Sequence, residues 1–172
     1  MSGYRLLPWV ALTLVIAVIV HGATLVALPH FIMSQAMSKM GAINTIHHGR
    51  RVDETSRGVV RPSPDLLYSS CPYDLSAGPL RVHAPVPPGT YWSVSAFDAD
   101  TDNYFVRNDR KSGGVVDFYV VHGAAALPPG ATTILSPTRR GLLLFRTLIN
   151  DGSHFASIDA ARRLATCATV GR

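Results

Sequence analysis

Residues 6–28 contain no Asp, Glu, Lys or Arg and are almost wholly apolar, and no other feature limits so tightly what this chain can fold into. About 20 apolar residues of helix cross a hydrocarbon core, because in lipid every backbone N–H and C=O must find its partner inside the segment. The run meets that length. Tyr4, Arg5 and Trp9 stand at its start, where aromatic rings and a cation settle among headgroups, and Pro8 falls in the first helical turn, where a missing N–H is tolerated. The sequence therefore predicts a transmembrane helix over residues 6–28, with residues 1–28 as an anchor. The competing expectation is a cleaved signal peptide with Ser34, Gln35 and Ala36 as its small-residue site. The apolar run is longer than the ~7–15 residues of a signal core, which favours the anchor. Positive charge does not orient the span, since Arg5 precedes it and Lys39, Arg50 and Arg51 follow at increasing distance.

The rest of this 172-residue chain is the size of one domain with one core. Its formal net charge of +5 is spread over short groups such as Arg50-Arg51, Arg139-Arg140 and Arg162-Arg163. Such pairs read as solvated faces or as contacts with anionic headgroups; with no aromatic interleaving, nucleic acid is not an expected partner, and the lipid bilayer is. The two cysteines, Cys71 and Cys167, lack CxxC or zinc-ligand spacing. They are either two separate buried thiols or a disulfide, which for a loop of this length is worth roughly 4 to 5 kcal/mol.

Residues 29–61 read as stalk and linker. Phe31, Ile32, Met37, Met40 and Ile43 have a loosely helical spacing, open to three arrangements: a helix on the membrane face, a continuation past Pro29, or a helix packed on the domain. Residues 62–172 form the β-rich domain. Seven short runs rich in β-branched and aromatic residues, at 66–69, 79–84, 90–97, 104–107, 115–122, 132–135 and 141–148, alternate with Pro/Gly breakers. That spacing predicts an antiparallel sandwich or partial barrel. Residues 155–169, after a turn at 150–153, carry a helical period through Phe155, Ile158, Ala161, Leu164 and Ala165 and predict one C-terminal helix.

Asp98, Asp100, Asp102, Asn103 and Asp109 imitate a calcium-loop count, but Asn103 stands where glycine is required, so a self-capping loop is favoured. His47-His48 is at most half of a metal site, and no metal is expected. His21, an ionisable group inside the span, is placed to contact a partner helix. There is no Gly-x-Ser-x-Gly, phosphate-cradling glycine loop or HExxH; an enzyme is not the favoured reading, no catalytic residue is assigned and no cofactor is expected.

Arg61-Pro62-Ser63-Pro64-Asp65-Leu66-Leu67-Tyr68-Ser69, followed by residues 73–80 and 89–94, the Asp98–Asn103 stretch and residues 146–149, resembles the bacterial family called domain of unknown function 1254, over about residues 60–164. Ser63 and Leu66 stand where that family usually has Asn and Thr. The resemblance implies an exported β-rich domain on the periplasmic side of the inner membrane. It also implies a partner, a membrane-anchored protein bearing the companion 1214-type domain, which larger relatives carry and this sequence lacks. No reaction follows from it. An envelope interaction module is thus the leading expectation. The alternative is a module binding a small polar ligand in a pocket framed by Arg61, Asp65, Tyr68, Asp98 and Asn103.

Overall fold

The computed structural model describes residues 6–56, 61–149 and 154–171. Tyr4, Arg5 and the turn expected at 150–153 lie outside them. The apolar run folds as part of one helix, α1 (Leu7–Lys39), whose 33 residues extend about 50 Å at the usual helical rise. It is long and apolar enough to cross a membrane: an 18-residue window has mean hydropathy 2.4 and none of it is buried. Pro29 lies inside the helix and interrupts one backbone bond without ending it. Of the three arrangements open to residues 29–46, the chain adopts continuation past Pro29, and the helix end also packs on the domain. Met33 and Met37 are buried there against Leu142 and Phe97. His30 Nδ1 lies 3.0 Å from an Asp100 carboxylate oxygen and 3.2 Å from the Val26 carbonyl. Facing two acceptors, that nitrogen carries the proton.

The domain is mainly β, two sheets enclosing one core. Strands β1 (His47–His48), β2 (Leu66–Asp74), β4 (Trp92–Asp98), β5 (Asn103–Asn108) and β8 (Arg140–Leu148) form an antiparallel sheet in the order β1-β2-β8-β4-β5. The second sheet orders β7 (Thr133–Leu135), β6 (Val115–Val121), β3 (Leu80–Pro85) and β9 (Thr166–Thr169), with β6 and β7 parallel. Alternation decides which side chains face inward. Val82 and Ala84, Trp92 and Val94, Phe118 and Val120, and Leu143 and Phe145 meet between the sheets at 4% exposure or less. Helix α2 (Phe155–Arg163) closes one end of the sandwich, with Ile158 packed on Leu67 and Ile149.

Cys71 of β2 and Cys167 of β9 form a disulfide across the core, 96 residues apart in sequence. The C-terminal helix stops at Arg163, six residues short of the expected end, and Thr166–Thr169 is strand. Leu164, counted toward the helical stripe, is 65% exposed. Pairing of Cys167 with Val82 on β3, together with the disulfide, outweighs the local period. The polar segment read as linker supplies β1, which pairs with Ser69 and Ser70 of β2.

Candidate functional site

The residues that open the domain act on their neighbours through backbone groups and one buried cation. Pro62 and Pro64 stiffen the chain entering β2, and the Tyr68 hydroxyl folds back to accept the Ser63 N–H at 3.0 Å. The Asp65 carbonyl accepts the Ile149 N–H and ties the segment to the end of β8. Arg162 of α2 is 4% exposed and donates to the Tyr68 carbonyl (3.0 Å), Ser69 Oγ (3.2 Å) and the Gly49 carbonyl (2.8 Å). The Asp159 carboxylate lies 2.6 Å from the same guanidinium. A charge this buried persists only when paired and hydrogen-bonded, and Arg162 is both. Burial works to raise the Asp159 pKa, but hydrogen bonds from Arg163 and Arg162 outweigh it and hold the carboxyl below its ordinary value. His48 Nδ1 sits 2.9 Å from Ser69 Oγ, and its pKa is lowered, first by burial and then by Arg162. Arg162 therefore clamps β2, the residue after β1, and α2.

Beside this clamp, on the outer face of β2 and β8, a cavity of about 520 Å³ opens next to the end of α1. Lys39, His47, Arg50 and Arg61 line it together with Tyr68 and Leu144, and no Asp or Glu is among its described lining residues. Two features fix its wall. His47 Nε2 accepts the Ala42 N–H at 2.7 Å, which leaves Nδ1–H as the donor of a neutral ring. Gly41 turns at φ +108°, a conformation that favours glycine, and its Cα faces the His47 ring so closely that a Cβ would overlap it. The two histidines thus serve the fold through one ring nitrogen each, His47 in a turn and His48 at Ser69.

Of the five residues expected to frame one pocket, Arg61 and Tyr68 meet at this cavity. Asp98 and Asn103 do not. Across the sheet Tyr68 opposes Arg146, which opposes Ser93, whereas Asp98 opposes Gly141, which opposes Tyr73. Five residues of strand, about 16 Å, separate the two rows. Asn103 opposes Phe97 at the start of β5, beside Asp98 rather than Arg61. Asp65 is exposed on the approach to β2. The Asp98 carboxylate is turned back on its own loop, accepting the N–H groups of Asp100 and Asp102 at 2.9 Å each. Its side chain is 4% exposed, and the loop uses its acid to cap itself.

Near the Asp98 end lies a chain of hydroxyls. Tyr73 Oη is 2.9 Å from both Tyr104 Oη and Ser136 Oγ, and Ser136 donates to the Thr138 carbonyl at 2.7 Å. With the Ser136 proton so placed, Tyr73 donates toward Ser136, with the Phe97 carbonyl 3.3 Å away as a second acceptor, and Tyr104 donates to Tyr73. Burial pushes both phenols above their ordinary pKa, so they act as neutral hydrogen-bonding groups. The signals for His47, Arg50 and Arg162 were too local to place them: each belongs to a dipeptide of identical residues, and the fold buries Arg162 beside an exposed Arg163, half-buries both histidines and leaves Arg50 and Arg51 both exposed.

Fold and site together define a β-sandwich that carries an N-terminal helix long and apolar enough to cross a membrane, with a cationic cavity where the helix meets the sheet. Residues 43–169 match the family described as protein of unknown function DUF1254, and the chain belongs to that family. The match begins ahead of β1, earlier than the motifs alone indicated. The crystal structure of the VPA0106 protein from Vibrio parahaemolyticus shares the fold, at TM-score 0.63 and 14% identity, over 87% of this chain and 36% of that one. A crystal structure of an uncharacterised protein from Burkholderia cenocepacia aligns at TM-score 0.46 and 18% identity, over 62% of this chain and 31% of that one. The chain thus spans about a third of the length of these solved structures. No curated protein matches it.

Proposed function

We propose that this protein is a single-pass anchored component of the bacterial inner membrane, and that its sandwich works on the periplasmic side as an interaction module for a second envelope protein. One observation carries the reading: α1 runs unbroken from a fully exposed apolar span into contacts with Leu142 and Phe97. About 20 residues of helix satisfy the bilayer, and the remainder stands on the sheet. Cleavage after Ala36 would discard Met33 from that contact, which supports an anchor over a signal peptide. The Cys71–Cys167 disulfide fits an oxidising compartment and so supports the periplasmic side. A membrane-anchored protein with the companion 1214-type domain is the partner this reading favours, with His21 available to a second helix. No reaction is part of the proposal.

Two measurements test it. Cysteine-accessibility mapping with a membrane-impermeant maleimide, on single cysteines added at exposed domain positions of the natural chain, whose own two cysteines are joined and buried, is expected to label the domain from outside intact inner membranes. Labelling only after lysis would overturn the orientation. Affinity purification of the tagged chain from its native membrane is expected to bring down one stoichiometric membrane protein, and recovery of the chain alone would overturn the partner reading.

A further inference from the structure

We infer that the cavity at the end of α1 is a binding site for a small anion that also carries an apolar body, a carboxylate or phosphate attached to an aromatic or short alkyl group. This goes beyond the partner reading and stands whether or not a second protein is found. The volume, about 520 Å³, falls within the range of small-molecule sites. Its charge is of one sign: Lys39, Arg50 and Arg61 line it and no described acid does. Arg50 and Arg61 make no hydrogen bond or ion pair among the described residues, whereas Arg162, close by, is saturated by three protein acceptors and Asp159. Asp53 and Glu54 border an adjoining cavity that shares Arg61. Asp53 is already engaged, since its Oδ1 accepts from the Thr55 N–H, Thr55 Oγ1 and Ser56 Oγ. Both arginines are exposed, so water holds their donors and no described protein acceptor competes with a ligand for them. An oxyanion suits such a pair, because guanidinium forks match two oxygens at once.

The apolar half of the ligand follows from the uncharged part of the lining. Met40, Val52 and Leu144 line it, and Leu144 presents an aliphatic side chain from the middle of a sheet face that would otherwise be wet. A simple inorganic anion would leave this wall uncovered. A cation or a neutral amphiphile would leave the arginines unmatched.

The test is isothermal titration of the full-length protein in lipid nanodiscs, with empty nanodiscs as the blank. The probes are 4-phenylbutyrate and phenyl phosphate, compared with inorganic phosphate, 4-phenylbutanol and 4-phenylbutylamine. Both aromatic anions are expected to bind saturably and at least about tenfold more tightly than the other three, and added salt to weaken them. The Arg50→Gln/Arg61→Gln double variant is expected to raise their Kd about tenfold or more with an unchanged melting temperature. Leu144→Ala is expected to weaken binding of the aromatic anions about tenfold while leaving phosphate as it was. Should that variant fail to fold, the comparison of phenyl phosphate with inorganic phosphate in the natural protein decides the same point. Equal affinity for inorganic phosphate, equal affinity for the alcohol or amine, no saturable heat at about 10 mM, or a Kd unmoved in the double variant would each overturn the inference.

Discussion

Removing the Cys71–Cys167 link gives the sharpest quantitative test of how the sandwich is held together. The two sulfurs join the sheets through the middle of the core, with Cys71 at 0% and Cys167 at 5% exposure. Closing a loop with a sequence separation of 96 residues removes about 4.7 kcal/mol of chain entropy from the unfolded state, a factor of about 3,000 in the folding equilibrium. Domains of this size are stable by only about 5–15 kcal/mol, so the reduced form is left near the margin. The experiment is a urea titration of the full-length chain in nanodiscs, followed by the fluorescence of Trp92, which is 2% exposed beside Phe145. Reduction is expected to lower the midpoint by about 2 M for a urea slope near 2 kcal/mol/M. Cys71→Ala/Cys167→Ala should lose about 1 kcal/mol more, because it also empties the sulfur volume. A shift below about 0.5 M on reduction would refute the reasoning, since it would mean that the unfolded chain gains almost no freedom when the link is cut.

Three further outcomes follow from the same structure. Gly141→Ala is expected to cost about 2–3 kcal/mol, read as a fall in melting temperature, because the new Cβ meets the Phe97 carbonyl and the Tyr73 phenol, and a backbone oxygen does not step aside cheaply. Arg162→Met should cost about 3 kcal/mol by stranding the Gly49 and Tyr68 carbonyls and Ser69, whereas Arg163→Ala, whose side chain is 57% exposed, should cost under about 1 kcal/mol. Acidification should destabilise in two stages. His48 has a folded pKa below its ordinary 6.5, so the unfolded chain takes up protons first and stability falls as pH drops below 6.5, with the loss complete once pH passes the lowered folded value. Asp74, Asp117 and Asp159, held below their ordinary 3.8, keep their contributions above that pH and lose them as pH falls through the lowered values. A melting-temperature profile against pH should show both stages, and His48→Gln should remove only the first.

Much of the fold was legible because strand signals are local. The runs at 90–97 and 115–121 show themselves by their β-branched and aromatic residues between Pro/Gly breakers, and Trp92, Val94, Phe118 and Val120 from them pack in the core. β1 and β9 escaped for the opposite reason. A two-residue strand has no period to read, and Thr166–Thr169 becomes a strand through its long-range pairing with β3 and the link to Cys71. At the site, the structure brings Arg61 and Tyr68 of the opening motif to one cavity and leaves Asp98 in the self-capping loop that its acid spacing favoured; a carboxylate near other acids reads the same whether it awaits a ligand or caps its own loop, and the distances to Asp100 and Asp102 distinguish the two. Arg162 left almost no trace. Spacing from Asp159 is that of an ordinary surface pair, and its burial arises from β2 and residue 49, more than 90 positions away.

The unbroken helix also fixes phase. Because α1 is docked at Met33 and Met37 and bonded at His30, each side of its lipid-facing cylinder points in a set compass direction relative to the sandwich. Adding one residue between positions 22 and 28 would turn the upstream half of the span by about 100° and displace it by about 1.5 Å, leaving composition nearly untouched. A neighbour that grips helix and sandwich together would sense that rotation as a loss of alignment, much as a key sees a turned ward, while one that touches a single surface would not.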